Sequence, residues 1–348
     1  MKSYVLLAGS VLLLAAFLGY RSFFPGEEIP YDDDQEGLKE QIVFKFSHVV
    51  AENTPKGLAA QRFAKLVAEK SDGRIKIEVF PNGSLYSDIE EINALKEGQV
   101  HFIAPSTSKL GMLSLQWGVL DLPFAFPSRE AALEGLNGDI GRQLLNSLQG
   151  AGLKGLAHWP NGFKQITSNR GPIQKPEDLK GQSFRIMQSD VLSAQFSRLK
   201  AKAVQDSFNS TYKLLEEGEV DGEENTISNI YSKKFYNLQQ HMTISNHGYL
   251  GYAVMMSNKV WNEQSEETRK ILLEAMEETT DWNSRMAFDM NEELLEKIRQ
   301  NSSIQIHELT PDEKQQWQAM LDPVYEDFSH DIGKNLVRKM KELRAEYE

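Results

Sequence analysis

The 348-residue chain contains no cysteine. This excludes disulfides, thiolate metal sites and a lipid-anchored N-terminal cysteine, so stability must come from packing alone. Basic residues are in deficit as well: 38 Lys and Arg stand against 50 Asp and Glu, a formal charge of -12. With no basic surplus to neutralise phosphates, a nucleic-acid partner is not expected, and any attraction for an anion has to be local. Histidine is sparse, with seven residues at positions 48, 101, 158, 241, 247, 307 and 330. None falls in an H-x-x-x-H or H-E-x-x-H spacing, so no metal site is expected.

Catalytic signatures are missing too. There is no G-x-S-x-G elbow. Gly150, Gly152 and Gly155 match G-x-G-x-x-G, but they follow a helical pattern and open a strand-like run, the reverse of what a dinucleotide loop requires. Asp221, Glu223 and Glu224 form an acidic cluster, yet neighbours on a strand point to opposite faces, so only Asp221 and Glu223 would share one. Without a nucleophile, metal or acid-base constellation, neither enzyme activity nor a cofactor is expected.

Glycine is absent between Gly251 and Gly333, and proline between Pro176 and Pro311. Where these gaps overlap, Ile271, Ala275, Trp282, Met286, Met290, Leu294 and Ile298 recur largely at helical spacings. The pattern predicts one helix over about 266–300, roughly 50 Å long at 1.5 Å per residue, enough to run along two lobes.

The chain begins with Lys2 and an apolar run over 4–20, interrupted only by Gly9, Ser10 and Gly19, the pattern of an export signal. At roughly 17 residues the run is near the lower limit for crossing a bilayer. Residues 1–26 are therefore expected to be a signal peptide or an N-terminal membrane anchor, 27–41 an acidic linker, and 42–348 an extracytoplasmic domain. Strand-like runs at 42–50, 75–80 and 100–104 alternate with helical patterns after Thr54 and over 88–97, which predicts a parallel α/β sheet. Ligands gather at the carboxyl ends of such strands. A proline-rich stretch at 120–127 suggests a crossover. Strands at 153–159, 163–168, 201–204 and 220–223, with helices at 191–199 and 209–217, predict a second α/β unit. Further strand candidates lie at 242–245 and 250–256. Lobe I is expected over about 42–160 with a later return, lobe II over about 161–250, and C-terminal helices from about 260 on both.

Arg185 sits in a strand-like run between Phe184 and Ile186. Guanidinium keeps its proton and presents a planar fork of donors, so an arginine near a core calls for an anion. That anion is either an internal carboxylate or a ligand. Lys164, Asn225, Ser106, Thr107, His48 and Lys56 are further donors expected around the same cleft. Taken singly, each also suits a structural or solvated position, and Phe208 suits a core.

Motifs then bring a family into view. Phe46-Ser47-His48-Val49-Val50-Ala51-Glu52-Asn53-Thr54-Pro55-Lys56-Gly57, Ala104-Pro105-Ser106-Thr107-Ser108, Asp121-Leu122-Pro123-Phe124, Ser183-Phe184-Arg185-Ile186 and Glu219-Val220-Asp221-Gly222-Glu223-Glu224-Asn225 together resemble the solute-binding subunit of TRAP transporters, of the DctP-type, C4-dicarboxylate-binding group. The likeness covers about residues 42–340 in family order. It implies a periplasmic-binding-protein-like fold, two α/β lobes closing on an organic acid with a long helix spanning both. It also implies small and large membrane permease subunits as partners, delivery of a C4-dicarboxylate such as succinate, malate or fumarate to them, and no catalysis. The alternative role it leaves open is a co-sensor presenting ligand to a sensor kinase. By motif position, Arg185 resembles the arginine that grips the substrate carboxylate and Asn225 a ligand-binding asparagine. Lys164 stands where sialic-acid-binding members have arginine, and Phe208 at their ligand-packing aromatic. Val49 and Ser106 replace an asparagine and a glutamate of those members, which implies a smaller ligand with fewer hydroxyls.

Overall fold

The computed structural model describes residues 41–348. The expected export segment and nearly all of the acidic linker lie outside the described residues. Among the described residues, no helix is long and apolar enough to cross a membrane.

Strand β1 (Ile42–Ser47) turns Phe44 and Phe46 inward, and β2 (Ile75–Phe80) pairs parallel with it in register from Ile42 opposite Ile75. Between them, helix α1 (Pro55–Lys70) starts where the Thr54 hydroxyl accepts from Gly57 N at 3.2 Å and Pro55 occupies the first turn. These are standard start signals. A side chain at Gly57 would meet the Ala51 carbonyl at 2.4 Å, so the loop before α1 can pack this tightly only over glycine. Ala59, Ala60, Phe63 and Val67 form the buried stripe of α1. A short helix, α2 (Glu91–Lys96), and a two-residue strand, β3 (Phe102–Ile103), complete this unit, with β3 parallel to β1. The predicted helix over 88–97 is thus shorter than its sequence pattern, and Asp88 lies ahead of it.

Strand β4 (Leu153–Ser168) is followed by β5 (Ser183–Ile186), helix α3 (Asp190–Arg198), β6 (Lys202–Gln205), β7 (Gly222–Thr226), helix α4 (Ile227–Ser232) and β8 (His241–Ser257). The long helix α5 (Glu266–Asn301) and strand β9 (Gln305–Glu308) come next. The sheet order is β2-β1-β3-β8-β4-β7-β5-β6, with β9 against β8. One lobe is built on β1 to β3 and the other on β5 to β7. The long antiparallel strands β4 and β8 belong to both, their register shifting around Pro160 to Gly162 and Lys164 to Ile166.

The sequence reading ends a strand at 159 and restarts it at 163; the structure instead kinks a single strand there. The long helix supplies the reason. Asn283 donates to the Pro160 carbonyl at 2.9 Å, and Asn291 donates to the Asn161 carbonyl at 2.7 Å while accepting from Ser228 N at 2.8 Å. Backbone carbonyls freed by the kink are thus satisfied from α5. Along its length, α5 contributes Ile271, Leu272, Ala275 and Met276 to a core with Phe46 and Phe63, and Leu294 and Ile298 to one with Phe208 and Ile230. It therefore spans both lobes.

Candidate functional site

Strand periodicity positions Arg185. Phe184 and Ile186 enter a core with Leu179 and Phe196, so Arg185 must point to the other face, toward the gap between the lobes. Its Nε and Nη2 donate to the Asp206 carbonyl at 3.1 and 2.7 Å. The third nitrogen, Nη1, is buried and has no partner among the described residues. No described carboxylate forms an ion pair with it, so the internal anion considered from sequence is not found. An unpaired donor of a buried guanidinium is costly to leave so.

A narrow cleft opens in front of this group, lined by residues of both lobes. From the second lobe come Arg185, Met187, Phe208, Asn225 and Asn229. The Asn225 amide donates to Glu223 at 3.2 Å and accepts from Asn229 at 2.8 Å, which fixes its orientation. From the first come Val49, Val50, Lys56, Asp88, Glu91, Ser106 and Lys109. Lys56 is buried; its ammonium donates to the Ala104 carbonyl at 2.9 Å and sits 3.9 Å from the centre of the Tyr252 ring. Burial holds it down at about 8, with Glu91 and Asp88 acting in the other direction. Two contacts join the lobes across the cleft. Phe208 N donates to Asp88 Oδ2 at 3.1 Å, and Ser106 Oγ donates to Met187 Sδ at 3.0 Å. Asp88 also pairs with Lys109.

Of the residues expected from sequence, Arg185, Asn225, Phe208, Ser106 and Lys56 meet in this cleft. Lys164, Thr107 and His48 are not among its lining. Lys164 donates to Glu224 Oε1 at 2.8 Å, both side chains being fully buried, and Glu224 Oε2 meets His247 Nε2 at 3.0 Å. This cation is therefore taken by an internal acid, in place of the expected ligand contact. Thr107 is buried at the start of a short 3-10 turn. His48 is buried, and burial together with Lys56 pushes it down to about 3, so it is neutral. Sequence reasoning passed over Asp88, Glu91, Lys109, Asn229, Met187 and Tyr252. Asp88 and Glu91 have the look of ordinary acids at a helix start, and only their burial sets them apart.

Two α/β lobes, joined by paired strands and a long helix, hold a buried cleft at the carboxyl ends of their parallel strands, with an arginine donor left over. That arrangement defines a solute-binding protein that encloses an anionic ligand. Comparison with known proteins agrees. The chain belongs to the DctP family, described as bacterial extracellular solute-binding protein, family 7, which it matches over residues 46–331. It is 64% identical over 332 residues, 95% of each chain, to the C4-dicarboxylate-binding protein DctB of Bacillus subtilis (strain 168). It is 40% identical to the C4-dicarboxylate-binding periplasmic protein DctP of Rhodobacter capsulatus, over 89% of this chain and 93% of that one. Among solved structures, it resembles a TRAP periplasmic solute-binding protein from Sulfurospirillum deleyianum with bound succinate, with a TM-score of 0.84 and 40% identity over 86% of this chain and 98% of that one. A counterpart from Pseudomonas aeruginosa PAO1 with bound L-malate gives 0.80 and 37%, over 82% and 99%. The protein is thus an extracytoplasmic, non-catalytic solute-binding subunit of the TRAP type.

Proposed function

We propose that the protein captures a C4-dicarboxylate, such as succinate, malate or fumarate, between its lobes and delivers it to the small and large permease subunits of a TRAP transporter. The observation that carries this reading is Arg185 Nη1, a buried donor facing the cleft with no hydrogen-bond partner among the described residues, since Asp88, which lines the same cleft, is engaged by Lys109 and Phe208 N. One ligand carboxylate binds there, with the Asn225 amide beside it, as a charge-assisted contact. The second meets Lys56 and Ser106 on the opposite lobe, so a ligand charged at both ends ties the lobes together. Val49, Val50 and Phe208 pack on the short carbon chain between them. Lobe closure then dries the acid and presents one shape to the membrane subunits. The relatives that bind C4-dicarboxylates support the choice of ligand.

Titration of the purified protein with succinate, L-malate, fumarate and dimethyl succinate provides the test. Saturable binding of one or more diacids and none of the diester is the expected result. Failure of all three diacids to bind would overturn it.

A further inference from the structure

We propose that Glu91 contacts the ligand as a neutral carboxyl group, donating its proton to the second carboxylate, so that capture of a dianion takes up a proton from solvent. The inference rests on the dicarboxylate reading and deepens it.

Glu91 opens α2, lines the cleft and is fully buried, and neither of its oxygens has a partner among the described residues. An ionised carboxylate in so dry a place, with no donor, is strongly disfavoured. As a neutral acid the same group carries a proton that no neighbouring protein group accepts. The charged and titratable groups around it come from five other segments. Lys56 on α1 is turned to the Ala104 carbonyl and the Tyr252 ring. Tyr252 belongs to β8. Asp88, in the preceding turn, is held by Lys109 from the turn after β3. Arg185 stands across the cleft on β5.

The charges then decide the protonation state. Asp88 and Lys109 cancel. Among the described residues Lys56 and Arg185 form no ion pair with a carboxylate, and the Glu223 carboxyl near Arg185 is pushed up to about 8 by burial and is mostly neutral at pH 7, so the two cations balance a dianion only if Glu91 is neutral as well. An ionised Glu91 would leave one negative charge uncompensated and set two carboxylates side by side, the arrangement in which one must hold a proton.

Burial pushes Glu91 up to about 7, against the pull of Lys56, and a ligand carboxylate beside it pushes it further. A group whose bound-state value exceeds its free value takes up a proton between the two. Uptake therefore appears above about pH 7, where the free site is ionised, and affinity falls as pH rises there. Below about pH 6 the group is already neutral and contributes no slope. Lys56 also gains protonation on meeting an anion, so the two must be separated experimentally.

Succinate is titrated calorimetrically into the full purified protein at pH 7.5, in phosphate and in Tris, whose ionisation enthalpies differ. The enthalpies are expected to differ by uptake of roughly three-quarters of a proton per ligand, and affinity to fall about fivefold between pH 7 and 8. Glu91→Gln, which keeps a donor but cannot ionise, should lose most of that uptake and flatten that slope. Succinate binding with no proton exchange in the unaltered protein would overturn the inference while leaving the dicarboxylate reading intact. Uptake that persists in Glu91→Gln would assign the proton to another group, Lys56 or the Glu223 carboxyl that burial pushes up to about 8 beside Arg185, and overturn it as well. No binding by the unaltered protein would overturn both.

Discussion

Lys164 and Arg185 are both fully buried cations, and they have opposite fates. Lys164 is matched within the fold by Glu224, whereas among the described residues Arg185 donates hydrogen bonds only to a backbone carbonyl. Burial alone would raise Glu224, but Lys164 and His247 outweigh it and hold the carboxyl down at about 2. A carboxylate depressed in the folded state adds stability above its unfolded value, near 4.3, and loses it as pH falls through the folded value. Glu224→Gln should therefore cost about 3–5 kcal/mol at pH 7, because the Lys164 ammonium then faces a neutral amide. It should also show less loss of stability between about pH 4.3 and 2, as followed by denaturant unfolding. From sequence the two cations looked alike as ligand donors. What separates them is the cross-strand pairing of Thr226 with Lys164 and of Glu224 with Ile166, which sets the acid beside the lysine and cannot be read from either segment alone.

Among the elements, the long helix was the most legible. Its expected span of about 266–300 meets an observed Glu266–Asn301, since Ser265 caps the start and neither glycine nor proline interrupts it. The two crossing strands were the least legible, because Pro160, Asn161 and Gly162 spell a turn when read locally. Their continuity depends on Asn283 and Asn291, more than a hundred residues away. Asn291→Ala should leave Ser228 N and the Asn161 carbonyl unsatisfied at a cost of about 1–3 kcal/mol, measurable as a lowered melting temperature. Ligand affinity should weaken with it, since the kink sets the relative orientation of β4 and β7. An unchanged melting temperature would show that the kink holds itself.

At the scale of the whole molecule, binding and closure share groups. Asp88 ties Lys109 within its own lobe and reaches Phe208 N on the other. Asp88→Ala should weaken dicarboxylate binding by about 2 kcal/mol or more, mostly through faster dissociation, because it removes a contact made only when the lobes meet. Stopped-flow mixing separates the rates, and a loss confined to association would contradict this assignment. The overall negative charge makes the local character of the site all the more important: in the proposed complex the attraction for a dianion comes from Arg185 and Lys56, two buried residues in a chain of net charge -12.

The central claim is that Arg185 is half of a contact completed by a ligand carboxylate. The most direct measurement is calorimetric titration of Arg185→Ala with succinate, beside circular dichroism to establish that the variant is folded. Loss of about 3–5 kcal/mol, two to four orders of magnitude in affinity, is predicted, because the ligand carboxylate would be enclosed without its partner. A folded Arg185→Ala protein that binds succinate as tightly as the unaltered one would contradict the account.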